Sequence, residues 1–254
     1  MIERKIEDNV CILTLNDGKT NALTDTVVKD LGKYVKEAEA DDSVKGIILT
    51  GEGKFFSSGF DLPMFLSFKD HAEVCAFFDF EEEILKDLFM CEKPVIAALN
   101  GHTVAGGMIL AMACDYRIMK NHPKIKIGMS EIKIGLPLSI AQYNVVRFGL
   151  DSDKKFRDVM LFGLMAGVEQ AKELEMIDEI VEEDKLIEHA KNMINIFKNN
   201  PGNAFTPLKL CVRRPFAERI RKELDEGSWK EGLKCFFEDD VRKTLEFVQS
   251  AMSK

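Results

Sequence analysis

The chain has 254 residues, of which 46% are hydrophobic and 31% charged, and its formal net charge is −8. That length suits one large domain, or one domain with an appended subdomain, and is long enough to bury a sizeable core. The acidic balance, without any block of lysines or arginines, argues against nucleic acid and anionic membrane as primary partners. No apolar run approaches the ~18 residues of a membrane span.

The opening Met1-Ile2-Glu3-Arg4-Lys5 leads directly into a strand-like pattern and lacks the apolar core of a signal peptide, so a cytoplasmic location is expected. Residues 10–15 read as a strand and Asn16-Asp17-Gly18 as the turn after it. Helical spacing runs from 22 to 38, with Thr24 or Asp25 as the N-cap. A second buried strand spans 44–50 and closes at Gly51-Glu52-Gly53; residues 55–62 read as a loop and 71–90 as an amphipathic helix. A third strand covers 94–99, ending at Asn100-Gly101, and a helix of small residues starts near Ala105. Short strands follow at 116–119 and 125–128. Strands alternating with helices predict an α/β core.

From about Ser139 the pattern turns helical, with segments at 139–148, 151–163, 168–175, 184–198, 204–223 and 228–252. The last holds Trp229, Leu233, Phe236, Phe237, Val241, Leu245 and Val248 at helical spacing, a stripe that suits a core or a subunit interface. Six cysteines (Cys11, Cys75, Cys91, Cys114, Cys211, Cys235) form no C-x-x-C pair, and several sit in apolar runs, so reduced thiols are expected. The four histidines (His71, His102, His122, His189) show no metal-ligand spacing, and no metal site is expected.

Two glycine turns carry the chemistry. After strand 94–99, the first N–H groups of the helix containing Ala105-Gly106-Gly107 have no partner within that helix and point outward with the positive end of its dipole. Glycine there lets a ligand approach the backbone, because no Cβ stands in the way. Ser58-Gly59-Phe60 likewise follows a strand, and two converging backbone donors would make an oxyanion hole. On spacing alone, tight packing accounts for such turns equally well.

The particular residues narrow this. Gly53 to Leu62 resembles the first oxyanion segment of the crotonase (enoyl-CoA hydratase/isomerase) superfamily, and Pro94 to Gly101 followed by Ala105-Gly106-Gly107 resembles the second. Asn21-Ala22-Leu23 and residues 171–181 are similar to its early and late motifs, so the matches run in order over about residues 1–185. The resemblance implies a ββα spiral core over 1–195, carrying a CoA-thioester site, and a C-terminal helical trimerisation region over 196–254. It also implies an acyl-CoA substrate, no cofactor beyond the coenzyme A of that substrate, and a homotrimer or a dimer of trimers. Carried across by position, the backbone N–H groups of Phe60 and Gly106 would hold the thioester oxygen. Ala22, Ser58, Gly59, Asp61, Leu62 and Gly107 would contact the substrate or its CoA arm, and Lys19 is either a phosphate contact or a solvated lysine.

Hydratases of the superfamily resemble one another in using two glutamates. The first lies three residues beyond the oxyanion glycine, where this chain has Ile109. Hydration needs one group to activate water and another to manage the α-proton, and an isoleucine does neither. The second acid position falls on Glu131 in Gly128-Met129-Ser130-Glu131-Ile132. One carboxylate and an oxyanion hole suffice for a 1,3-proton shift, so the pattern resembles the Δ3,Δ2-enoyl-CoA isomerases of fatty acid metabolism, in particular their peroxisomal-type branch, although the chain ends in Ala251-Met252-Ser253-Lys254 rather than a peroxisomal signal. Ile109 and Leu136 are expected to line the pocket, and Phe77, Phe78 and Phe80 its acyl end. Two alternatives stand beside the isomerase. One is a hydratase, thioesterase or decarboxylase drawing a second polar group from Ser139, Gln142 or Tyr143; the other is a non-catalytic acyl-CoA binding protein.

Overall fold

A computed structural model describes residues 1–252. The chain begins with β1 (Ile2–Glu7), β2 (Val10–Leu15), α1 (Asp25–Ala40), β3 (Gly46–Gly51), β4 (Phe55–Ser57), α2 (Leu62–Ser67) and α3 (His71–Met90). It continues with β5 (Val95–Leu99), β6 (His102–Val104), α4 (Gly106–Ala113), β7 (Tyr116–Lys120), β8 (Ile127–Gly128), a 3-10 turn at Glu131–Ile134 and α5 (Ile140–Gly149). Then come α6 (Asp153–Met160), β9 (Met165–Ala166), α7 (Val168–Glu173), β10 (Glu179–Val181), α8 (Leu186–Lys198), α9 (Phe205–Glu226), a 3-10 segment at Ser228–Phe237 and α10 (Asp239–Met252).

The strands form two sheets, one ordered β1-β2-β3-β5-β7-β10 and the other β4-β6-β8-β9. Successive turns of chain lay one strand in each sheet and then a helix: β3, β4 and α2–α3; β5, β6 and α4; β7, β8 and α5. This is the expected ββα spiral. The first sheet is parallel apart from the β1–β2 hairpin, and β3 and β5 are buried on both faces. Alternate residues serve different cores: Ile47, Leu49, Ala97 and Leu99 join the main core, while Ile48, Ile96 and Ala98 pack against α8. Covering both faces is why these strands read as continuous apolar runs.

Two expectations are corrected. Residues 55–62 were expected to be loop, but 55–57 are strand β4, and β6 follows at 102–104; at three residues each they are too short for any periodicity to show. Residues 228–252 are not one helix, because Glu238 is extended (φ −72°, ψ 135°) and separates the 3-10 segment from α10. Asp239 and Asp240 then open α10, where the helix dipole favours acids. The edge strand β1 has mostly exposed, charged side chains and is specified instead by pairing with β2 around Asp8-Asn9, both at positive φ (52° and 63°).

The C-terminal helix α9 is fastened to the core by charge. Asp115, just past α4, accepts from Lys209 Nζ at 2.7 Å and pairs with Arg213 Nη2 at 2.9 Å. Arg213 also donates to the carbonyls of Ala113 (2.9 Å), Cys114 (3.0 Å) and Phe89, so one guanidinium satisfies orphan carbonyls at the ends of α3 and α4. Asp115→Asn would leave two buried cations without their counter-charge. It should cost about 3–5 kcal/mol, read from the urea midpoint; a loss under about 1 kcal/mol, the worth of an exposed pair, would show that the cluster does not fasten α9.

Candidate active site

Three neighbouring strands of the second sheet, β4, β6 and β8, run parallel, with Phe55 opposite His102, Thr103 opposite Ile127 and Val104 opposite Gly128. Their carboxyl ends therefore emerge side by side. Ser58-Gly59-Phe60 leaves β4, Ala105-Gly106 leaves β6, and Ser130-Glu131 leaves β8. Segments some seventy positions apart in the chain thus meet at one edge, the usual place for a ligand in a parallel sheet.

Segment 20–23 holds the first turn from the other side. Ser58 N–H donates to Thr20 C=O (3.0 Å), Leu23 N–H to Gly59 C=O (2.8 Å) and Asp61 N–H to Leu23 C=O (3.2 Å). In that parallel bridge Leu23 takes the groups flanking Phe60, which leaves Phe60 N–H facing away from Leu23. Asn21, buried at φ 51°, pins the segment through bonds from Nδ2 to Glu52 C=O (3.0 Å) and Phe55 C=O (2.8 Å). Gly59, at φ +94°, has no room for a side chain: a Cβ there would stand 2.9 Å from Gly106 N and 2.7 Å from Ala105 Cβ.

Ala105 is the N-cap of α4, at φ 54° and ψ −126°, a conformation that costs an alanine of order 1–3 kcal/mol. Its N–H donates to Gly128 C=O (2.9 Å), which ties the strained turn to β8. The next N–H, that of Gly106, is the first of α4 and has no carbonyl one turn back to receive it. Gly107 is fully packed instead: a Cβ there would lie 2.6 Å from Ser57 C=O, so this glycine seats α4 against β4.

Glu131 begins the 3-10 turn after β8 and is 9% exposed. Burial pushes its carboxyl up to about 7, against a smaller downward pull from the N–H groups of Glu131 itself and Ser130. Its Oε2 is buried without a hydrogen-bond partner. Glu131 and Leu136 are shared by two cavities. One, of about 280 Å³, is lined by Ser58, Phe60, Leu62, Ala105 and, from α10, Val248. The other, of about 350 Å³, is lined by Pro137, Ser139, Tyr143, Phe156 and Met160.

The remaining expected residues fall as follows. Ser58 and Leu62 line the first cavity. Asp61 caps α2 by accepting from Met64 N–H (2.7 Å). Ala22 is half-buried beside Leu23, and Lys19 is exposed on the preceding turn. Ile109 lies one layer deeper than expected: it is 2% exposed and borders a void of about 10 Å³ with Leu23, Phe60, Gly106 and Glu81. The expected acyl wall is also corrected. Phe77 and Phe78 are buried, with their rings 5.2 Å apart, in a cluster with Phe65 and Phe236, and none of Phe77, Phe78 and Phe80 lines either cavity beside Glu131, of which one is bordered by α2 and α10 and the other by α5 and α6.

Sequence reasoning missed Glu81 and Glu82, which are 4% and 0% exposed on α3. Spacing held the signal, because Phe78, Glu82, Leu85 and Phe89 share one helical face and Glu81 lies i+4 from Phe77. Gln142 Nε2 donates to Glu81 Oε2 (3.1 Å), Ala141 N–H to Glu82 Oε2 (2.7 Å), and Ser139 Oγ to Glu82 Oε1. Burial raises both carboxyls, that of Glu82 to about 7.

With this geometry in hand, comparison with known proteins gives the family. The family model described as enoyl-CoA hydratase/isomerase matches residues 5–246, and the chain belongs to that family. A putative enoyl-CoA hydratase of Thermus thermophilus is 29% identical over 247 residues, covering 91% of this chain and 95% of its own. The mitochondrial enoyl-CoA delta isomerase 1 of Rattus norvegicus is 24% identical over 248 residues, covering 96% and 84%. Among solved structures, human mitochondrial delta3-delta2-enoyl-CoA isomerase superposes with a TM-score of 0.90 at 22% identity, covering 100% of this chain and 97% of that one. An enoyl-CoA hydratase from Bacillus halodurans superposes at 0.84 and 23% identity, covering 96% and 98%. These two likenesses establish the shared fold.

The state of Glu131 can be measured directly. The difference in proton uptake between the wild type and Glu131→Gln should show one group titrating with its midpoint near 7. A midpoint near the ordinary glutamate value of about 4.3 would mean that water reaches the carboxyl freely.

Proposed function

We propose that this chain is an enoyl-CoA isomerase that moves the double bond of a 3-enoyl-CoA to give 2-trans-enoyl-CoA. The observation that carries the reading is Glu131 Oε2, buried and unpartnered, on the one acidic side chain among the described residues lining the cavity beside Phe60 and Ala105. The thioester oxygen sits between Phe60 N–H and Gly106 N–H. Glu131 takes a proton from C2, the negative charge spreads onto the oxygen as a dienolate, and the same carboxyl returns the proton to C4. The two fixed N–H dipoles stabilise the charge where it develops, without reorganising. An acid raised toward 7 takes and returns a proton near neutral pH with little free-energy mismatch. The apolar walls Leu62, Phe65 and Leu136 favour this chemistry over water addition.

Ile109 supports the choice of isomerisation over hydration, because a second acid is missing where hydratases of the family carry one. Glu81, although near Ile109, borders only the small void and not the cavities that Glu131 shares. Glu131→Gln should lower turnover of 3-hexenoyl-CoA by at least about 10³-fold, within the range for losing a general acid–base, while binding of hexanoyl-CoA changes less than about threefold. Retained turnover would refute the one-base mechanism. Hydration of 2-hexenoyl-CoA as the main wild-type activity would support a hydratase, and tight binding without turnover of either ester would support a non-catalytic acyl-CoA binder.

We also propose that the chain assembles as a homotrimer or a dimer of trimers through its C-terminal helices. Support comes from Leu208 and Val212 on α9, which are 66% and 59% exposed beside Phe205. Light scattering should give three or six times the 28.7 kDa chain mass; a stable monomer would contradict the assembly.

A further inference from the structure

Glu131 and Leu136 belong to two cavities, and the proton transfer proposed above uses only the first. That cavity, of about 280 Å³, carries the two oxyanion turns, so it has to hold the thioester and the start of the CoA arm. Toward α3 it is closed by Phe65, which is 3% exposed and packed on Phe77 and Phe236. The second cavity, of about 350 Å³, begins at the same carboxyl and lies between segment 136–140 and helices α5 and α6. Those helices line it with Tyr143 and Phe156, whose rings meet edge to face at 5.3 Å, and with Met160, which is 7% exposed. Apart from Glu131, its polar side chains are Tyr143 and Ser139, and the Ser139 hydroxyl is bonded to Glu82. No other charged side chain lines it, so a charged tail would find no partner there. The rim is apolar as well: Ile132 and Leu161 are 50% and 58% exposed, and Phe162 follows at 69%. The rim is held at a fixed width, because Lys133 Nζ donates to Gly163 C=O (2.6 Å) and ties the end of α6 to the turn that carries Glu131. Exposed apolar side chains gathered at the mouth of a preformed apolar cavity suit an apolar ligand that passes over them.

A single base that serves both C2 and C4 has to lie alongside the acyl chain, while C1 is held at the two turns. The carbons beyond C4 then pass Glu131 and leave on the side away from the CoA arm. We infer that the second cavity is the acyl-tail site, that Met160 and Phe156 of α6 with Tyr143 of α5 decide how far the tail reaches, and that the substrates are medium- to long-chain 3-enoyl-CoA esters with apolar tails. The direction in which the chain passes Glu131 rests on the isomerase reading. At about 30 Å³ for a water-sized group, the cavity takes on the order of ten methylenes, so a six-carbon ester leaves most of it empty. Longer tails fill it and then run out over Ile132 and Leu161. Each methylene taken out of water tightens binding by up to about fourfold.

The test titrates the protein calorimetrically with saturated CoA esters of six, eight, ten and twelve carbons, beside kcat/KM for the matching 3-enoyl esters. Dissociation constants should fall along the series, by at least about tenfold from six to ten carbons. Met160→Trp, which fills the cavity, should weaken the ten-carbon ester about tenfold more than the six-carbon ester, the worth of between one and two buried methylenes. Val248→Trp, which fills the first cavity instead, should weaken both alike. Leu161→Glu, at an exposed position, should weaken the twelve-carbon ester more than the six-carbon ester by putting a charge beside the emerging tail. A flat series would overturn the proposal, and so would a length preference shifted by Val248→Trp but not by Met160→Trp. A misfolded Met160→Trp, detected by circular dichroism, passes the decision to Leu161→Glu. If Leu161→Glu then weakens all esters equally, or alters the assembly mass and not the length preference, the rim is no tail site and the proposal falls. Failure of the wild type to convert any 3-enoyl ester, with the binding series intact, refutes the isomerase reading instead, so the two failures are distinguishable.

Discussion

The site depends on the parallel register of β4, β6 and β8. These strands are only two or three residues long, yet their pairing decides which loop tips meet. Val104 opposite Gly128 places Ala105 where its N–H reaches Gly128 C=O, and the chain two residues past that carbonyl is Ser130-Glu131. A shift of one residue would send each of these side chains to the other face of the sheet. Packing guards against that shift: a Cβ on Gly128 would stand 1.9 Å from Leu164 C=O, and one on Gly101 would stand 2.2 Å from Lys54 C=O. The glycines that looked like ligand cradles therefore have two separate duties. Gly107, Gly101 and Gly128 let the sheet close, while Gly59 and Gly106 let the two turns approach each other.

Three buried acids show how the surroundings decide what a carboxyl does. Asp115 is paired with Lys209 and Arg213, and its role is to fasten α9. Glu82 is held by a hydroxyl and a backbone N–H, and its role is to organise the start of α5. Glu131 is desolvated, with Oε2 buried and left without a partner on a side chain that lines both cavities. An unpaired buried carboxyl is costly to keep, and such cost is commonly retained where the group has chemistry to perform. Strain follows the same pattern, because Ala105 sits at positive φ where its N–H and that of Gly106 must be aimed.

Much of this was legible in the chain. The β3 and β5 runs stand out as local patterns with a local cause, whereas the two glycine turns fit packing as well as chemistry until the family resemblance, which also picks out Glu131, is brought in. What escaped depends on contacts distant in sequence. Strands β4 and β6 are specified by their neighbours and not by their own few residues. The break at Glu238 hides inside an apolar stripe that continues at helical spacing on both sides of it. Glu81 and Glu82 read as part of a charged run until α5 is seen to cover them, and the wall formed by Phe65, Phe77, Phe78 and Phe236 is set by how these rings pack together. Ile109 was read from sequence as a pocket wall; its place behind the turn depends on how α3 crosses α4.

The central claim is that Phe60 N–H, Gly106 N–H and Glu131 Oε2 converge on one thioester. A crystal structure with hexanoyl-CoA, a saturated thioester with no double bond to move, tests it most directly. The account predicts the thioester oxygen at about 2.7–3.1 Å from both nitrogens, the range for such donors, with Glu131 Oε2 facing C2 and C4. A thioester oxygen bound elsewhere, or a Glu131 carboxyl turned away from the acyl chain, would contradict it.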